Sequence, residues 1–145
     1  MSAVLITGAS SGIGAALAEA YAAPNMTLIL TARNEERLRE VAARCEAKGA
    51  RVFSASMDVR EKDKLAAFIR AMDDATPIDL VIANAGISSG SMSGGETLDA
   101  AEMVFEVNVN GVINTIHPLI ERMKARRSGH IAIMSSLAGI CAMPS

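Results

Sequence analysis

The segment Thr7-Gly8-Ala9-Ser10-Ser11-Gly12-Ile13-Gly14 decides the fold of this 145-residue chain. It follows an apolar run at residues 3–6 and leads into a helical pattern, which predicts a strand, a glycine turn and a helix that begins at Gly12. The glycines remove side chains that would block a pyrophosphate, and the helix start offers free backbone N–H groups and the positive end of a dipole. The segment therefore predicts a dinucleotide phosphate site. A turn that binds nothing is the alternative, because the spacing Gly-x-x-x-Gly-x-Gly differs from the general fingerprint Gly-x-Gly-x-x-Gly.

Composition and charge exclude several classes of protein. Half of the residues are apolar, which is enough to bury a core, and the net charge of −2 gives no electrostatic footprint for nucleic acid. The basic cluster at residues 124–127 falls where a helix is predicted to end and complements its dipole. The N-terminal apolar run is too short for a membrane span and lacks the basic flank of a signal peptide. We expect a cytoplasmic protein with no nucleic-acid partner and no membrane partner.

Cysteine and histidine usage predicts no metal site. Cys45 and Cys141 lie far apart without a Cys-x-x-Cys pair, and only His117 and His130 could add nitrogen ligands. No disulfide framework is indicated either, which fits a reducing compartment. The single tyrosine, Tyr21, falls on the apolar face of the first predicted helix, where we expect a core position.

Strand and helix patterns alternate along the rest of the chain. Asn34 is a predicted N-cap, Pro77 is expected to end the third helix, and Pro118 predicts a kink in the helical region that follows. The predicted strands cover residues 3–6, 26–30, 51–55, 78–83 and 130–134. This alternation predicts an α/β fold with a doubly wound parallel sheet and a ligand site at the carboxyl ends of its strands.

Polar residues or glycine follow every predicted strand, as a site at that edge requires. They are Gly8, Arg33, Asp58, Asn84 and the pair Ser135-Ser136. Because the carboxyl ends of parallel strands meet at one edge of the sheet, we expect these residues to lie close together.

Several short motifs occur together and in order along the chain. They are Thr7-Gly8-x-x-x-Gly12-Ile13-Gly14, Asp58-Val59, Asn84-Ala85-Gly86, Asn108-Val109-Asn110-Gly111 and Ser135-Ser136-x-Ala138-Gly139. Through them the chain resembles the short-chain dehydrogenase/reductases over its whole length. The resemblance implies a Rossmann-type sheet, truncated to five strands of the usual seven. It also implies a single NAD(P)-binding domain that spans residues 1–145 and is incomplete at its C-terminus.

The resemblance assigns each motif a part of a dinucleotide. The residues implied at the pyrophosphate and ribose are Gly8, Ser10, Ser11, Gly12, Ile13 and Gly14. Asp58 and Val59 are implied at the adenine, where a carboxylate can accept from the exocyclic amine. Asn84, Ala85 and Gly86 are implied to form the wall beside the ribose and nicotinamide, where small residues let a flat ring approach the backbone. For Asp58 a helix N-cap is the alternative role.

Arg33 bears on the choice between NADP and NAD. An acidic residue at the end of the second strand would bond to a ribose 2′-OH and repel a 2′-phosphate, but Ala32 occupies that position and Arg33 follows it. Arg33 offers a planar, always charged donor group that suits phosphate. We therefore expect NADP as the cofactor, with NAD as the alternative. Beside Glu35 and Glu36, Arg33 would otherwise be a solvated residue at a helix start.

Catalysis in this family uses a serine, a tyrosine, a lysine and an asparagine. Motif position implies that Ser136 is the serine that would orient the substrate oxygen, with the neighbouring Ser135 as the less favoured alternative. It also implies that Asn108 is the asparagine, which would organise a proton-relay water. The tyrosine and lysine are expected after Ser145, where the given sequence stops. Without the family resemblance, a structural role would be as well supported as a catalytic one for each residue. For Ser136 that role is a turn at the end of a strand, and for Asn108 it is a helix cap or kink.

These expectations define one function and its alternatives. We expect an NADP-dependent oxidoreductase that transfers hydride between nicotinamide and a small carbonyl or alcohol substrate, with this chain as the cofactor-binding half. The chain alone is expected to be inactive, and the full-length protein to be a homo-oligomer. The alternatives are a non-catalytic dinucleotide-binding sensor or scaffold, and an isomerase or epimerase of the same superfamily.

Overall fold

The sheet has five parallel strands, each at a place that the sequence predicts. In a computed structural model of the chain, residues 2–88 and 97–137 are described. The strands are β1 (Ser2–Thr7), β2 (Met26–Ala32), β3 (Arg51–Ser56), β4 (Leu80–Ala83) and β5 (His130–Ile133). They pair in the order β3-β2-β1-β4-β5, and every pairing is parallel. The carboxyl end of β1 therefore lies in the middle of one sheet edge.

Helices connect the strands. They are α1 (Gly12–Tyr21), α2 (Glu35–Ala47), α3 (Lys62–Ala75), α4 (Leu98–Phe105) and α5 (Gly111–Arg126), with a π-helical turn at Glu106–Asn110 between the last two. Asn34 is the N-cap of α2, as predicted, and its Oδ1 accepts from the Arg37 backbone N–H at 2.9 Å. The alternation of parallel strands and helices confirms the α/β, Rossmann-like fold.

Helices cover both faces of the sheet. On one face, Val4 packs in a buried cluster that includes Val41 of α2. On the other face, Leu5 packs in a cluster with Leu65 of α3 and Leu119 of α5. Because neighbouring residues of a strand point to opposite faces, both layers need the continuous apolar run seen in β1. The two layers fix the strand ends at the edge where the candidate site is expected.

Two strands are shorter than predicted, and the other three extend one or two residues beyond their predicted bounds. β4 begins at Leu80 and not at residue 78, because the Asp79 carboxylate accepts from the Ala3 backbone N–H at 3.0 Å and ties this segment to the start of β1. β5 ends at Ile133, one residue before its predicted end. It is an outer strand of the sheet, and Ile131 and Ile133 are exposed.

The helices depart from the sequence predictions at two places, Tyr21 and the π-helical turn. The prediction that Tyr21 belongs to the core is wrong, because Tyr21 is the last residue of α1 and is 36% exposed. α5 continues through Pro118. The backbone departs from α-helical geometry just before α5, at the π-helical turn. The sequence patterns did not predict this turn.

A buried acid joins α3, α5 and the segment before β4. The Asp73 carboxylate accepts from the Ile78 backbone N–H at 2.8 Å, from Arg122 Nε at 2.6 Å and from Arg126 Nη1 at 2.9 Å. Burial raises the pKa of Asp73, but the hydrogen bonds and positive charges of these partners outweigh it and lower the pKa below its ordinary value. Part of the basic cluster at residues 124–127 thus has an internal ion-pairing role besides complementing the helix dipole.

Candidate functional site

The glycine turn between β1 and α1 leaves no room for side chains at two positions. Gly8 has a φ of +69°, which other residues rarely adopt, and a Cβ there would lie 2.8 Å from the Ala85 Cα. A Cβ on Gly14 would lie 2.3 Å from the Gly8 carbonyl oxygen. The turn is therefore packed tightly against the end of β4.

Thr7 and Asn84 bond this turn to the end of β4. The buried Thr7 hydroxyl oxygen accepts from the backbone N–H groups of Asn84 and Ala85, both at 3.2 Å. The Asn84 side chain donates to the carbonyl oxygens of Thr7 at 3.0 Å and Gly8 at 3.4 Å. The side chain of Asn84 thus stabilises the turn, and Ala85 and Gly86 follow it as small wall residues.

The N-cap side chain of α1 does not bond to the backbone N–H groups at the start of the helix. Ser11 is the N-cap residue, with an extended backbone at φ −164°, and its side chain makes no capping hydrogen bond. The first turn of α1 contains no acidic residue. These N–H groups and the positive end of the helix dipole therefore remain suited to an anion.

A cleft of about 420 Å³ lies beside this turn at the carboxyl edge of the sheet. Its described lining residues are Gly8, Ser10, Ser11, Ile13, Thr31, Ala32, Arg33, Asn34, Arg37, Met57, Asp58, Val59, Asn84, Ala85, Gly86, Ile87 and Val107. Every residue predicted to bind the cofactor is among them except Gly12 and Gly14. Gly14 is buried within the turn, and a Cβ on Gly12 would meet no atom within 4 Å. Of the residues that follow the predicted strands, Gly8, Arg33, Asp58 and Asn84 thus line one cleft, whereas Ser135 and Ser136 are not among its described lining residues.

Sequence patterns did not identify several lining residues. Arg37 lies in the first turn of α2, which begins at the end of β2, so its place near Arg33 follows from the predicted bounds of these elements. Met57 and Ile87 each adjoin a predicted motif. Val107 lies in the π-helical turn, for which the sequence carried no recognised signal.

Arg33 and Arg37 make one side of the cleft basic. The Ser56 hydroxyl donates to the Arg33 carbonyl oxygen at 3.1 Å and so fixes the backbone there. Within the described ranges, neither arginine takes part in an ion pair. The Glu35 carboxylate pairs with Arg39 instead, at 2.8 Å. The positive charge of this wall is therefore not neutralised by a direct contact.

Arg60 holds the Asp58 carboxylate. Oδ2 accepts from Arg60 Nη2 at 2.7 Å, and Oδ1 accepts from the Arg60 backbone N–H at 3.0 Å. The hydrogen bonds from Arg60 keep the pKa of Asp58 below its ordinary value, against the opposing effect of partial burial. α3 begins at Lys62 with Glu61 as its N-cap residue, so the alternative of Asp58 as the helix N-cap is wrong.

α5 positions the buried Val59. Asn114 Nδ2 donates to the Val59 carbonyl oxygen at 2.9 Å. A Cβ on Gly111 would lie 2.5 Å from Val59 Cγ2, so the Val59 side chain packs directly against the backbone of α5 here. The packing of α5 thus sets the position of the loop that carries Asp58.

The predicted catalytic residues are not among the described residues that line the cleft. Asn108 lies in the π-helical turn, and its side chain bonds to the backbone of Ile87, at 2.9 Å to the N–H and 2.8 Å to the carbonyl oxygen. Ser136 is exposed and follows β5. Ala138 and Gly139, of the same motif, lie outside the described residues. The catalytic roles stay predictions.

The family follows from comparison with known proteins. A family model described as short chain dehydrogenase matches residues 2–145. The chain belongs to the short-chain dehydrogenase family. An oxidoreductase of Mycobacterium tuberculosis is 34% identical over 144 residues, which cover 97% of this chain and 57% of that relative. The chain thus spans little more than half the length of this relative.

Solved structures of short-chain dehydrogenases share the fold. One from Burkholderia phymatum, in complex with NAD, has a TM-score of 0.90 and 31% identity, over 99% of this chain and 52% of that one. Another from Sphingobium yanoikuyae, in complex with NADPH, has a TM-score of 0.84 and 32% identity, over 97% of this chain and 56% of that one. Similar structures therefore include complexes with either cofactor.

Residues 2–88 and 97–137 contain neither a candidate metal site of clustered ligands nor a candidate membrane-spanning helix. No group of three or more His, Cys, Asp or Glu residues there could hold a metal ion. No helix in these ranges is long and apolar enough to cross a membrane.

Proposed function

We propose that the full-length protein is an NADP-dependent oxidoreductase that transfers hydride between nicotinamide and a small carbonyl or alcohol substrate. This chain would be its cofactor-binding half. The observation that carries the proposal is the combination of a glycine turn with a basic wall in one cleft. Complexes of similar dehydrogenases with NADPH and with NAD support a nicotinamide dinucleotide as the ligand, and the basic wall is the observation that favours NADP.

The glycine turn fits the pyrophosphate of a dinucleotide. The residues proposed to surround it are Gly8, Ser10, Ser11, Gly12, Ile13 and Gly14. The start of α1 supplies backbone N–H groups that the side chain of its N-cap residue, Ser11, leaves unbonded. The space at Gly12, where a Cβ would meet no protein atom, leaves the anion free access to the backbone.

The remaining wall residues fit the two ends of the cofactor. Asp58, kept ionised by Arg60, would accept from the adenine amine, and Val59 would lie beside the ring. Asn84 fixes the wall in which Ala85 and Gly86 would face the ribose and nicotinamide.

Arg33 is proposed to bind the 2′-phosphate that distinguishes NADP from NAD. β2 ends at Ala32, so no carboxylate is present at that position to repel a phosphate. The Arg33 guanidinium is not in a direct ion pair among the described residues and can donate to phosphate oxygens.

For catalysis we assign separate tasks to two residues. When bound, the nicotinamide supplies or accepts the hydride. The Ser136 hydroxyl would orient the substrate oxygen. Asn108 would organise a proton-relay water, and its carboxamide also positions the backbone of Ile87 at the cleft wall.

The test is net oxidation of NADPH by the full-length protein with a panel of aldehydes and ketones. We expect turnover with at least one compound, and Ser136→Ala should lower kcat far more than NADPH affinity. Ser135→Ala is the matched control and should leave kcat nearly unchanged. Tight NADPH binding without net turnover would favour a sensor or scaffold. Substrate isomerisation without net NADPH consumption would favour an isomerase or epimerase.

A further inference from the structure

Arg37 lies in the same cleft as Arg33 and has no role in the function proposed above. It is in the first turn of α2, and its backbone N–H donates to Asn34 Oδ1 at 2.9 Å. The cap therefore fixes the point at which the Arg37 side chain leaves the helix. Because Arg33, Asn34 and Arg37 all line the cleft, the neutral cap residue lies in the same wall as both guanidinium-bearing residues.

Nearby carboxylates do not neutralise these two guanidinium groups by direct contact. Glu35 pairs with Arg39 at 2.8 Å, and Asp58 pairs with Arg60 at 2.7 Å. The start of α2 adds the positive end of its dipole to the same wall. Two cations without a direct ion pair in the described part of the chain favour a ligand group that carries more than one negative charge.

We propose that Arg37 is a second specificity-determining residue, which binds the 2′-phosphate of NADP together with Arg33. This inference rests on the proposed function, since it requires that the cleft take NADP. A phosphate monoester has three terminal oxygens and close to two negative charges at neutral pH, more than one planar guanidinium group can satisfy. Arg33 would bind it from the end of β2 and Arg37 from the first turn of α2.

Stacking over the adenine ring is an alternative role for the Arg37 side chain. The ratio of the dissociation constants of NADPH and NADH distinguishes this role from phosphate binding. A guanidinium over the adenine ring would stabilise NADPH and NADH alike, because both contain adenine. A guanidinium on the 2′-phosphate acts on NADPH alone, since NADH carries a neutral 2′-hydroxyl there.

The experiment measures the dissociation constants of NADPH and NADH by fluorescence titration. It uses the full-length protein and the variants Arg37→Ala, Arg37→Lys, Arg33→Ala and Arg39→Ala. Arg39→Ala is the matched control, because Arg39 is on the same helix but pairs with Glu35 and does not line the cleft. We expect Arg37→Ala to weaken NADPH binding about tenfold and NADH binding less than about twofold. Arg37→Lys keeps the charge and loses the planar donor group, so its loss for NADPH should be smaller.

Each outcome decides the role of Arg37. Equal weakening of both cofactors, or weakening of neither, overturns it. If Arg33→Ala weakens NADPH selectively and Arg37→Ala does not, the inference fails and the proposed function stands. If the unaltered protein binds NADH as tightly as NADPH, the proposed cofactor preference fails and the role of Arg37 fails with it. Thermal melts of each variant verify that the exposed substitutions leave the fold intact.

Discussion

The Asn108 carboxamide bonds with both of its ends to the backbone of Ile87. Its Oδ1 accepts from the Ile87 N–H at 2.9 Å, and its Nδ2 donates to the Ile87 carbonyl oxygen at 2.8 Å. Ile87 lines the cleft, whereas Asn108 belongs to the π-helical turn before α5. The turn and the cleft wall are therefore joined through one side chain.

Asn108→Asp should disturb this connection, because a carboxylate has the size of the amide but cannot donate to the Ile87 carbonyl oxygen. We expect NADPH and NADH affinity to fall alike, by about 3- to 10-fold, since a hydrogen bond contributes roughly 0.5–1.5 kcal/mol. Titration with both cofactors is the measurement. Asn110→Asp is the control, because the Asn110 side chain donates to Glu106 and not to the cleft wall. Unchanged affinities in Asn108→Asp would contradict the positioning role.

Gly14→Ala should be the more damaging of two glycine substitutions in the turn. A methyl group at Gly14 would lie 2.3 Å from the Gly8 carbonyl oxygen, and forcing it in should destabilise the fold by about 3 kcal/mol. Gly12→Ala meets no neighbouring atom, and its φ of +53° costs only about 1–2 kcal/mol. Urea unfolding measures both. A larger loss of stability for Gly12→Ala would be inconsistent with the packing described for the turn.

Asp73 should make stability depend on acid pH. Its pKa is lowered in the folded state, so its contribution is fully present above the unfolded pKa of about 3.9 and is lost as the pH falls through the folded value. We therefore expect the free energy of unfolding to fall progressively below about pH 4.

The variant Asp73→Asn tests this contribution. It should destabilise the protein by about 3 kcal/mol at pH 7, because it removes the negative charge that pairs with both Arg122 and Arg126. The free energy of unfolding of this variant should also fall less steeply below about pH 4. Asp74→Asn is the control, since Asp74 is exposed and contacts Arg122 only at the surface. Urea unfolding between about pH 2 and 7 gives both profiles. If the free energy of unfolding of Asp73→Asn falls with acidification as steeply as that of the unaltered protein, Asp73 is not the source of this pH dependence.

Arg60→Ala should change the pH dependence of cofactor binding. Arg60, with a smaller contribution from Arg33, keeps the pKa of Asp58 low, so without Arg60 the carboxyl becomes protonated at a higher pH. The loss of NADPH affinity on acidification should then begin at a higher pH than in the unaltered protein. Lys64→Ala is the control, because Lys64 pairs with Glu61 and not with Asp58. Identical pH profiles for Arg60→Ala and the unaltered protein would remove Asp58 from the adenine site.

The sequence predicted those parts of the fold that depend on local patterns. Buried apolar runs placed the strands, and Asn34 marked the start of α2 because its side chain caps the adjacent turn. The cleft residues that directly follow strands were found for the same reason. The bonds between Asn108 and Ile87 and the ion pairs of Asp73 were not, because they join residues far apart in the chain. The burial of Tyr21 was predicted wrongly, because helical spacing alone does not show that the end of α1 is no longer covered by the sheet.

The affinity of the full-length protein for NADPH relative to NADH tests the central claim most directly. We predict that NADPH binds at least about tenfold more tightly and that Arg33→Ala removes most of this preference, because a charge-assisted contact to phosphate contributes about 1.5–3 kcal/mol. Equal affinity for the two cofactors, or tighter binding of NADH, would contradict it.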